Sequence, residues 1–195
     1  LSTTSDDTIK IGATLPLSGA YSPVAGSFEN LYLTWAEMIN ERGGIYIKEQ
    51  GKRLPVEFII YDDQSDHATA IRLYTKLIEN DNVDVLIGPY SSTLTIPIVP
   101  IVTDAQVPLI ATTAAAPPIF NQGSEWVFAG IDLLSAWPKH YFDMVAAKGE
   151  AKTIAFVVGN EPYGQGLLVG GSKLAHETGL EIVLQETVSP GTKDL

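Results

Sequence analysis

Three consecutive hydroxyl side chains, at residues 91–93, are candidates for holding an anion. They follow an apolar run, residues 83–87, that ends in Gly88 and Pro89. A short run that is rich in β-branched residues and stops at a chain breaker predicts a buried strand. A helix that begins at these hydroxyls can be capped by one of them, and its free N–H groups attract negative charge. The stretch therefore predicts an anion-binding group, with a plain helix cap as the alternative.

A second polar loop follows the next apolar run of the chain. Residues 107–111 predict another strand, and Thr112 and Thr113 come directly after it, ahead of three alanines. In an open parallel sheet, ligands lie outside the carboxyl ends of the strands. Because both loops leave from such ends, we expect them to form one wall of a ligand cleft.

The spacing of apolar residues predicts the strands and helices that must position these loops. Strands are predicted at residues 8–15, 54–61, 83–87, 107–111, 126–131, 153–158 and 179–184, with a small ribbon at 45–52. Helices are predicted from residue 28 to a glycine cap at 43–44, across 70–78, between the third and fourth strands, and at 136–148 and 167–177. Successive strand–helix units of this kind predict an α/β fold with a parallel, doubly wound sheet and right-handed crossovers.

Two of these helices carry features of their own. Pro97 and Pro100 predict that the third helix starts near Ile96 or is kinked, because proline suits a first turn and harms a helix interior. The stripe with Tyr32 and Trp35 on the first long helix is expected to belong to the core, because its members recur at helical spacing.

Composition excludes several classes of partner. The formal net charge of −11 and a pI of about 4.5 argue against nucleic acid or an anionic membrane surface, because both need basic patches. The chain has no cysteine, which excludes disulfides, thiolate metal sites and a cysteine nucleophile. It has no run of about 18 apolar residues, so we expect no direct membrane insertion. The polar first residues lack the features of a signal peptide, so we expect any such peptide to be absent from this sequence.

Asp62, Asp63 and Asp66 follow the second main strand and raise the question of a metal site. No histidine or further carboxylate lies at ligand spacing, so a solvated turn or a helix N-cap is the favoured interpretation. The three histidines are scattered along the chain and fit surface positions. We expect no metal and no cofactor.

A nucleotide-dependent enzyme is the alternative from a different functional class. Gly164, Gly166 and Gly170 lie in and after a predicted glycine-rich loop at 159–166 and resemble a dinucleotide-binding fingerprint. The spacing is wrong, because the third glycine comes one residue late and five residues separate the strand from the first glycine. Neither a P-loop nor a G-x-S-x-G nucleophile elbow occurs. We therefore expect that the protein is not an enzyme and has no catalytic residues.

Six motifs are distributed along the chain between residue 9 and residue 166. They are IKIGATLPLSG, INERGGI, YDDQSD, VDVLIGPYSS, VPLIATTAA and NEPYGQG. In this order and spacing the motifs resemble the type I periplasmic solute-binding proteins of ABC importers. Within that family, the leucine/isoleucine/valine-binding (branched-chain amino acid) type is the most similar.

The resemblance implies two α/β lobes with parallel Rossmann-like sheets, joined by a hinge, that close on a ligand between them. The first lobe would span residues 8–130 and the second residues 134–195. With only two clear strands, the second lobe is expected to be incomplete, either because the chain is a fragment or because another chain completes the sheet. A further helix is predicted to begin at Thr192.

The resemblance also implies roles for individual residues. The family's carboxylate-binding serine falls on Ser92, and the backbone contacts of the second polar loop fall on Thr113. A tyrosine of the second lobe falls on Tyr163, whose phenol can stack on a ligand and form a hydrogen bond with it. Ser65 and Ser91 stand where some relatives carry a disulfide, so this fold is expected to lack that bond.

Two positions depart from the family's pattern. Ala115 stands where relatives use a hydroxyl to contact the ligand, and Val24 replaces an aromatic residue of the first loop. Tyr21 or Tyr90 is expected to compensate for the missing ring. An aromatic or other carboxylic acid therefore fits these residues as well as an aliphatic amino acid does.

Taken as a whole, the resemblance implies a periplasmic or extracellular receptor that delivers a small carboxylate-bearing solute to a membrane ABC permease and performs no chemistry. Ligand binding favours hinge closure, because only in the closed state do both lobes contact the ligand. A ligand-sensing receptor or regulator of the same fold is the alternative. A membrane-proximal segment or a regulatory partner would distinguish that alternative from transport.

Overall fold

The computed structural model describes residues 8–189 and residue 192. Its strands are β1 (Ile9–Leu15), β2 (Ile45–Ile47), β3 (Lys52–Leu54), β4 (Val56–Asp62), β5 (Val85–Ile87), β6 (Leu109–Ala111), β7 (Val127–Ala129), β8 (Thr153–Gly159) and β9 (Glu181–Val188). Its helices are α1 (Ser22–Ala25), α2 (Phe28–Glu41), α3 (His67–Glu79), α4 (Ser92–Thr95), α5 (Val99–Ala105), α6 (Pro117–Phe120), α7 (Lys139–Lys148) and α8 (Pro162–Thr178). The helix predicted to begin at Thr192 lies outside the described residues, apart from Thr192 itself.

Five strands pair in parallel in the order β4-β1-β5-β6-β7, and the predicted α/β fold with a parallel sheet is confirmed. β2 and β3 form an antiparallel ribbon at the predicted place. β8 and β9 pair in parallel as a separate sheet. We call the residues up to β7 the five-stranded part and those from α7 onward the two-stranded part. The lobe boundaries at 130 and 134 stay a prediction.

The core of the five-stranded part includes residues of α3, α5 and the central strands. Tyr74 on α3 is fully buried, and its hydroxyl donates a hydrogen bond of 2.5 Å to the Ile87 carbonyl at the end of β5. Burial raises the pKa of Tyr74 well above its ordinary value, so the phenol remains a donor. This bond fixes the point at which the first polar loop leaves the sheet. The other buried members of the cluster are Ala70, Leu77, Val83, Leu86, Ile98, Val102 and Leu109.

Helix α2 buries less of its apolar stripe than the spacing predicts. Ala36 is buried, and Tyr32 stacks on Phe58 of β4 with ring centroids 5.4 Å apart, but Trp35 is 40% exposed and Leu31 is 62% exposed. The prediction of a core position is therefore wrong for Trp35. α2 packs on β4, the edge strand, and the part of the chain that the structure describes leaves an apolar groove open beside the helix.

The two prolines interrupt the third long helix. α4 forms one turn that begins at Ser92, and Pro97 lies in a 3-10 turn, Ile96–Ile98, that joins α4 to α5. Pro100 lies in the first turn of α5. Proline has no N–H to donate and is tolerated at the beginning of a helical segment. The helical run therefore begins before Ile96 and is interrupted where Pro97 stands.

Helix α8 begins earlier than the sequence predicts. The prediction of a loop at residues 159–166 is wrong from Pro162 onward, because the helix starts there. Glu161 caps it, since its carboxylate accepts hydrogen bonds of 2.8 Å from the backbone N–H groups of Tyr163 and Gly164. An acceptor side chain at the N-cap followed by proline favours a helix start.

The glycines of α8 permit close packing on both sides of the helix. A Cβ atom on Gly170 would lie 2.1 Å from the Ser135 carbonyl oxygen, and one on Gly171 would lie 2.7 Å from the Phe156 ring. Phe156 belongs to β8, and Ser135 belongs to residues 130–138, which we call the crossover segment because it joins the two parts. α8 therefore contacts both its own sheet and the crossover segment.

The two-stranded part has a small core of its own. Phe142 on α7 is 1% exposed and packs with Ala175 of α8 and with Leu180. Val157 and Val183 point to the opposite face of the β8–β9 sheet, because side chains alternate along a strand, and both are more than half exposed. This sheet therefore buries one face against α7 and α8.

Candidate ligand-binding site

Polar loops lie at the carboxyl ends of four neighbouring strands. They are the β1 loop (residues 16–21), the aspartate turn at the end of β4 (62–66), the β5 loop (88–91) and the β6 loop (112–116). The strands are parallel, so these ends meet at the same edge of the sheet. The strand order reverses between β1 and β5, which is where α/β sheets bind ligands. Because β5 pairs with β6, the two loops singled out from the sequence are neighbours.

Ser92 connects the β5 loop to the β6 loop. Its hydroxyl accepts a hydrogen bond of 3.2 Å from the backbone N–H of Ala116, and the residue is 1% exposed. As a hydroxyl it can also donate one hydrogen bond to an acceptor. Ser91, directly before it, has a φ of +84° and caps α4, because its hydroxyl accepts a bond of 3.3 Å from the Leu94 N–H. The plain capping role therefore belongs to Ser91.

Thr113 lies on the same pair of loops. Its hydroxyl donates a hydrogen bond of 3.3 Å to the Pro89 carbonyl, and the residue is half-buried. The hydroxyl of Thr112 lies 3.4 Å from that of Tyr32 on α2. Burial, partly offset by this contact, raises the pKa of Tyr32. The β6 loop thus donates one hydrogen bond to the β5 loop and one to Ser92 at the start of α4, and these two bonds hold Ser92 and Thr113 on adjoining segments.

Ala115 is 2% exposed, and its side chain lies in an apolar cluster. Its carbonyl accepts a hydrogen bond of 3.1 Å from the N–H of Leu134 in the crossover segment. Leu134 and, from α8, Leu167 pack on the same cluster. The β6 loop therefore contacts both the crossover segment and the long helix of the two-stranded part.

An aromatic group borders the β1 and β5 loops. Tyr90 packs edge to face against Tyr21, with ring centroids 5.6 Å apart, and against Phe28 at 6.1 Å. Both tyrosines are half-buried, whereas Val24 is 61% exposed. The structure thus brings Tyr21 and Tyr90 together. The sequence carries no signal for Phe28, because its place on the apolar stripe of α2 is that of an ordinary core residue.

Tyr163 lies in the first turn of α8 and is 43% exposed. Trp137 packs edge to face against it with ring centroids 6.0 Å apart. The Trp137 indole N–H donates a hydrogen bond of 2.7 Å to the Asp132 carbonyl, which ties the aromatic pair to the crossover segment. α8 also lies close to α4, which carries Ser92. Sequence reasoning missed Trp137, although a tryptophan just after the predicted lobe boundary was an available signal.

Two aspartates of the aspartate turn bind protein donors at the surface. Asp66 caps α3 by accepting a bond of 2.8 Å from the Thr69 N–H, which confirms the N-cap interpretation and lowers the pKa of Asp66. Desolvation alone would raise the pKa of Asp62, but hydrogen bonds, above all from Ser18, together lower it. Within residues 8–189 and 192, no group of three or more histidine or carboxylate side chains is arranged to hold a metal ion.

Asp63 is fully buried, so the interpretation as a solvated turn is wrong for this residue. Its carboxylate accepts hydrogen bonds of 2.7 Å from the Thr14 hydroxyl and 2.9 Å from the Ser65 N–H. Desolvation is the main cause of the raised pKa of Asp63. The two hydrogen bonds lower this pKa by less, and the nearby charges of Asp62 and Asp66 raise it slightly further. Asp63 therefore joins β1 to the aspartate turn inside the protein.

Asp63→Asn is expected to remove a pH dependence of stability. A carboxyl group whose pKa is raised by folding keeps its proton where the unfolded chain has lost it. The free energy of unfolding of the wild type therefore falls as the pH rises from about 4, the unfolded value, through the higher folded pKa. Urea unfolding across this window should show the wild type losing stability relative to the variant as pH increases. A difference that is constant, or that grows in favour of the wild type, would exclude a raised pKa.

The N-terminus of α8 already holds a negative charge. The carboxylate of Glu161 accepts hydrogen bonds from the N–H groups of Tyr163 and Gly164. A phosphate placed there would meet a like charge in place of free donors. The three glycines of the pattern that resembles a dinucleotide fingerprint are accounted for by packing. A Cβ atom would lie 2.2 Å from the Gly159 carbonyl oxygen at Gly164, 3.0 Å from the Leu134 Cβ at Gly166 and 2.1 Å from the Ser135 carbonyl oxygen at Gly170.

Comparison with known proteins agrees with the motifs. One family model, described as periplasmic binding protein, matches residues 8–195. The leucine-, isoleucine-, valine-, threonine- and alanine-binding protein of Pseudomonas aeruginosa is 30% identical over 188 residues, which cover 96% of this chain and 48% of that protein. The Leu/Ile/Val/Thr-binding protein of Salmonella typhimurium is 28% identical, with 96% and 50% covered. The chain spans about half the length of the curated relatives it matches.

Solved structures agree as well. The branched-chain amino acid transporter substrate-binding protein LivJ of Streptococcus pneumoniae, in complex with isoleucine, has a TM-score of 0.78 at 29% identity and covers 96% of this chain and 51% of its own. A solute-binding protein of an ABC transporter from Rhodopseudomonas palustris, in complex with 3,4-dihydroxybenzoic acid, has a TM-score of 0.79 at 25% identity, with 94% and 48% covered. Because the family match runs from residue 8 to residue 195 and the parallel sheets agree with it, the chain belongs to the periplasmic binding protein family, with the type I fold that its motifs predict.

Proposed function

We propose that this chain forms part of an extracytoplasmic receptor of an ABC importer, which captures a small carboxylate-bearing solute and performs no chemistry. The observation that carries the proposal is the position of Ser92, directly after the β5 loop, and of Thr113, in the β6 loop, at the carboxyl ends of neighbouring strands, where hydrogen bonds link the two segments. A carboxylate beside Ser92 would gain the serine hydroxyl as a donor, together with free N–H groups at the start of the helical run.

The residues around these loops favour a ligand with an apolar or aromatic face next to its carboxylate. The two solved structures described above contain isoleucine and 3,4-dihydroxybenzoic acid, and both of these ligands carry a carboxylate. Ala115 offers no hydroxyl, whereas Tyr21, Tyr90 and Tyr163 offer rings that can pack on an apolar group. An aromatic acid fits this combination at least as well as a branched-chain amino acid does.

Hinge closure between two lobes, at 8–130 and 134–195, is the proposed mode of capture. α8 of the two-stranded part lies close to α4, which begins at Ser92, and in this mode the two parts move apart to admit a ligand and enclose it when they approach. Tyr163 is the proposed contact from the second lobe. Because the ligand contacts both lobes only in the closed state, its binding energy favours closure.

The proposed location is the periplasm or the cell exterior, and the proposed partner is a membrane ABC permease that receives the solute. Both come from the family to which the chain belongs. Among the helices of residues 8–189, none combines the length and the hydropathy that a membrane span requires.

Calorimetric titration of the intact protein tests this proposal. Isoleucine and 3,4-dihydroxybenzoic acid serve as probes, each beside its amide, isoleucinamide or 3,4-dihydroxybenzamide. We expect saturable binding of at least one acid and at least roughly tenfold weaker binding of its amide, because the amide lacks the charge that strengthens the hydrogen bonds. No product should form. Equal affinity for acid and amide, or conversion of a probe, would count against the proposal.

A further inference from the structure

The aspartate turn grips the β1 loop at both ends of a short segment. The Ser65 hydroxyl donates a hydrogen bond of 3.1 Å to the Ser18 carbonyl and accepts one of 3.0 Å from the Tyr21 N–H. The Asp62 carboxylate accepts bonds of 2.6 Å from the Ser18 hydroxyl and 3.1 Å from the Ser18 N–H. Two residues of the aspartate turn thereby fix the segment from Ser18 to Tyr21 of the β1 loop.

The two loops also meet through their backbones. Gly19 has a φ of +84°, and a Cβ atom there would lie 2.2 Å from the Gln64 carbonyl oxygen. The aspartate turn places two non-glycine residues in the left-handed region, Gln64 at +56° and Ser65 at +59°. This conformation is unfavourable for both residues. The fold maintains it, and the result is that the Ser65 hydroxyl faces the β1 loop.

These contacts between the aspartate turn and the β1 loop fix the position of Tyr21. Its N–H is the donor to Ser65, and it stands directly before α1. Its ring packs against Tyr90, which follows β5 two residues before Ser92. A shift of the β1 loop would therefore move the Tyr21 ring relative to the proposed carboxylate site.

We propose that Ser65 is a positioning residue, which holds the Tyr21 ring in place as an aromatic wall of the ligand site without contacting the ligand. The inference rests on the proposed function, because it requires a ligand beside Ser92. It also assigns this chain a preference for ligands that present an apolar or aromatic face to Tyr21.

Three substitutions in the aspartate turn distinguish the effect of losing the Ser65 hydroxyl from the effect of relieving backbone strain. Ser65→Gly removes the hydroxyl and relieves the positive φ, because glycine adopts that conformation readily. Ser65→Ala removes the hydroxyl and keeps the strain. Gln64→Gly relieves the strain at the neighbouring residue and keeps the hydroxyl, so it is the matched control. If the hydroxyl is what matters, both Ser65 variants weaken binding and the control does not, whichever way stability changes.

Calorimetry with isoleucine and 3,4-dihydroxybenzoic acid supplies the affinities. The Kd of the probe that the wild type binds should rise roughly three- to tenfold in Ser65→Gly and Ser65→Ala, because the loss of both hydrogen bonds of the Ser65 hydroxyl leaves the Tyr21 ring less well positioned before binding. When Tyr21→Ala is already present, adding Ser65→Gly should change Kd by less than about twofold, because the residue through which Ser65 acts is gone. An unchanged Kd in Ser65→Gly, or effects of the two substitutions that simply multiply, would overturn the inference.

Hydrogen exchange at the Tyr21 amide gives a readout that needs no ligand. The amide should exchange faster in both Ser65 variants than in the wild type and in Gln64→Gly, because its acceptor has been removed. If the wild type binds neither probe, the proposed function fails. Amide exchange alone then tests whether the Ser65 hydroxyl holds the Tyr21 backbone in place. Equal exchange rates in the wild type and the Ser65 variants would remove that link.

Discussion

Gly170→Ala will lower the free energy of unfolding by at least about 2 kcal/mol, although alanine is the better helix former. In an open helix position the same change would stabilise the protein by about 1 kcal/mol. Here the new Cβ atom would lie 2.1 Å from the Ser135 carbonyl oxygen and 2.6 Å from the Ser135 carbonyl carbon. These are backbone atoms, so α8 or the crossover segment has to move as a whole.

Urea unfolding of the wild type, Gly170→Ala and Val169→Ala measures this effect. Val169 precedes Gly170 on the same helix and is 64% exposed, so its truncation should change stability by about 0.5 kcal/mol or less. The sign of the change in the free energy of unfolding for Gly170→Ala shows whether the close contact with Ser135 outweighs the better helix propensity of alanine. If Gly170→Ala were more stable than the wild type, the crossover segment would not be in close contact with α8 at this position.

Ser92→Ala is expected to weaken the binding of isoleucine or 3,4-dihydroxybenzoic acid by about 1.5–3 kcal/mol, a roughly 10- to 150-fold rise in Kd. The variant loses a hydroxyl donor to a charged acceptor at a position that is 1% exposed, where water does not replace it easily. It also leaves the Ala116 N–H without its acceptor, which loosens the β6 loop beside Thr113.

Thr103→Val is the control for the loss of a hydroxyl that has no role in binding. Thr103 is half-buried on the same helical run, and its hydroxyl is within 2.6 Å of both the Val99 carbonyl and the Ser124 hydroxyl. Its removal should reduce stability and leave Kd within about twofold of the wild type. If Ser92→Ala stays folded and binds the probes with wild-type affinity, Ser92 does not belong to the site.

Elements whose pattern is local were predictable from the sequence. β1 follows a short alternating run, and α3 buries Ala70, Tyr74 and Leu77 at the helical spacing seen in the sequence, behind the Asp66 cap. In both cases the residues that decide the structure lie within a few positions of one another. Periodicity and caps carry that information directly.

The start of α8 was predictable in principle and was obscured by its glycines. Glu161 and Pro162 are an ordinary start signal, but the glycines that follow favour a loop when they are judged one by one. Close packing accounts for these glycines, because a Cβ atom on Gly164 would lie 2.2 Å from the Gly159 carbonyl oxygen and one on Gly166 would lie 3.0 Å from the Leu134 Cβ in the crossover segment. No local pattern announces which segment of the chain will press against a helix.

The environments of Ser92 and Asp63 depend on distant partners. The Ser92 hydroxyl binds an N–H that is 24 residues away, and the Asp63 carboxylate binds a hydroxyl that is 49 residues away. The residue types and the loops they occupy could be predicted, but their burial could not. Trp35 illustrates the reverse case, since its spacing is that of a core residue and its helix lies over an edge strand.

We propose that Ser92 holds the carboxylate of the ligand at the end of the parallel sheet. The most direct test is the ratio of the amide Kd to the acid Kd, measured by calorimetry for the wild type and for Ser92→Ala with the same acid and amide pairs. We expect a ratio of roughly ten or more in the wild type and a several-fold smaller ratio in Ser92→Ala, because a hydroxyl donor strengthens the binding of the charged acid more than that of the neutral amide. A ratio that is the same in both proteins would show that the carboxylate is recognised elsewhere.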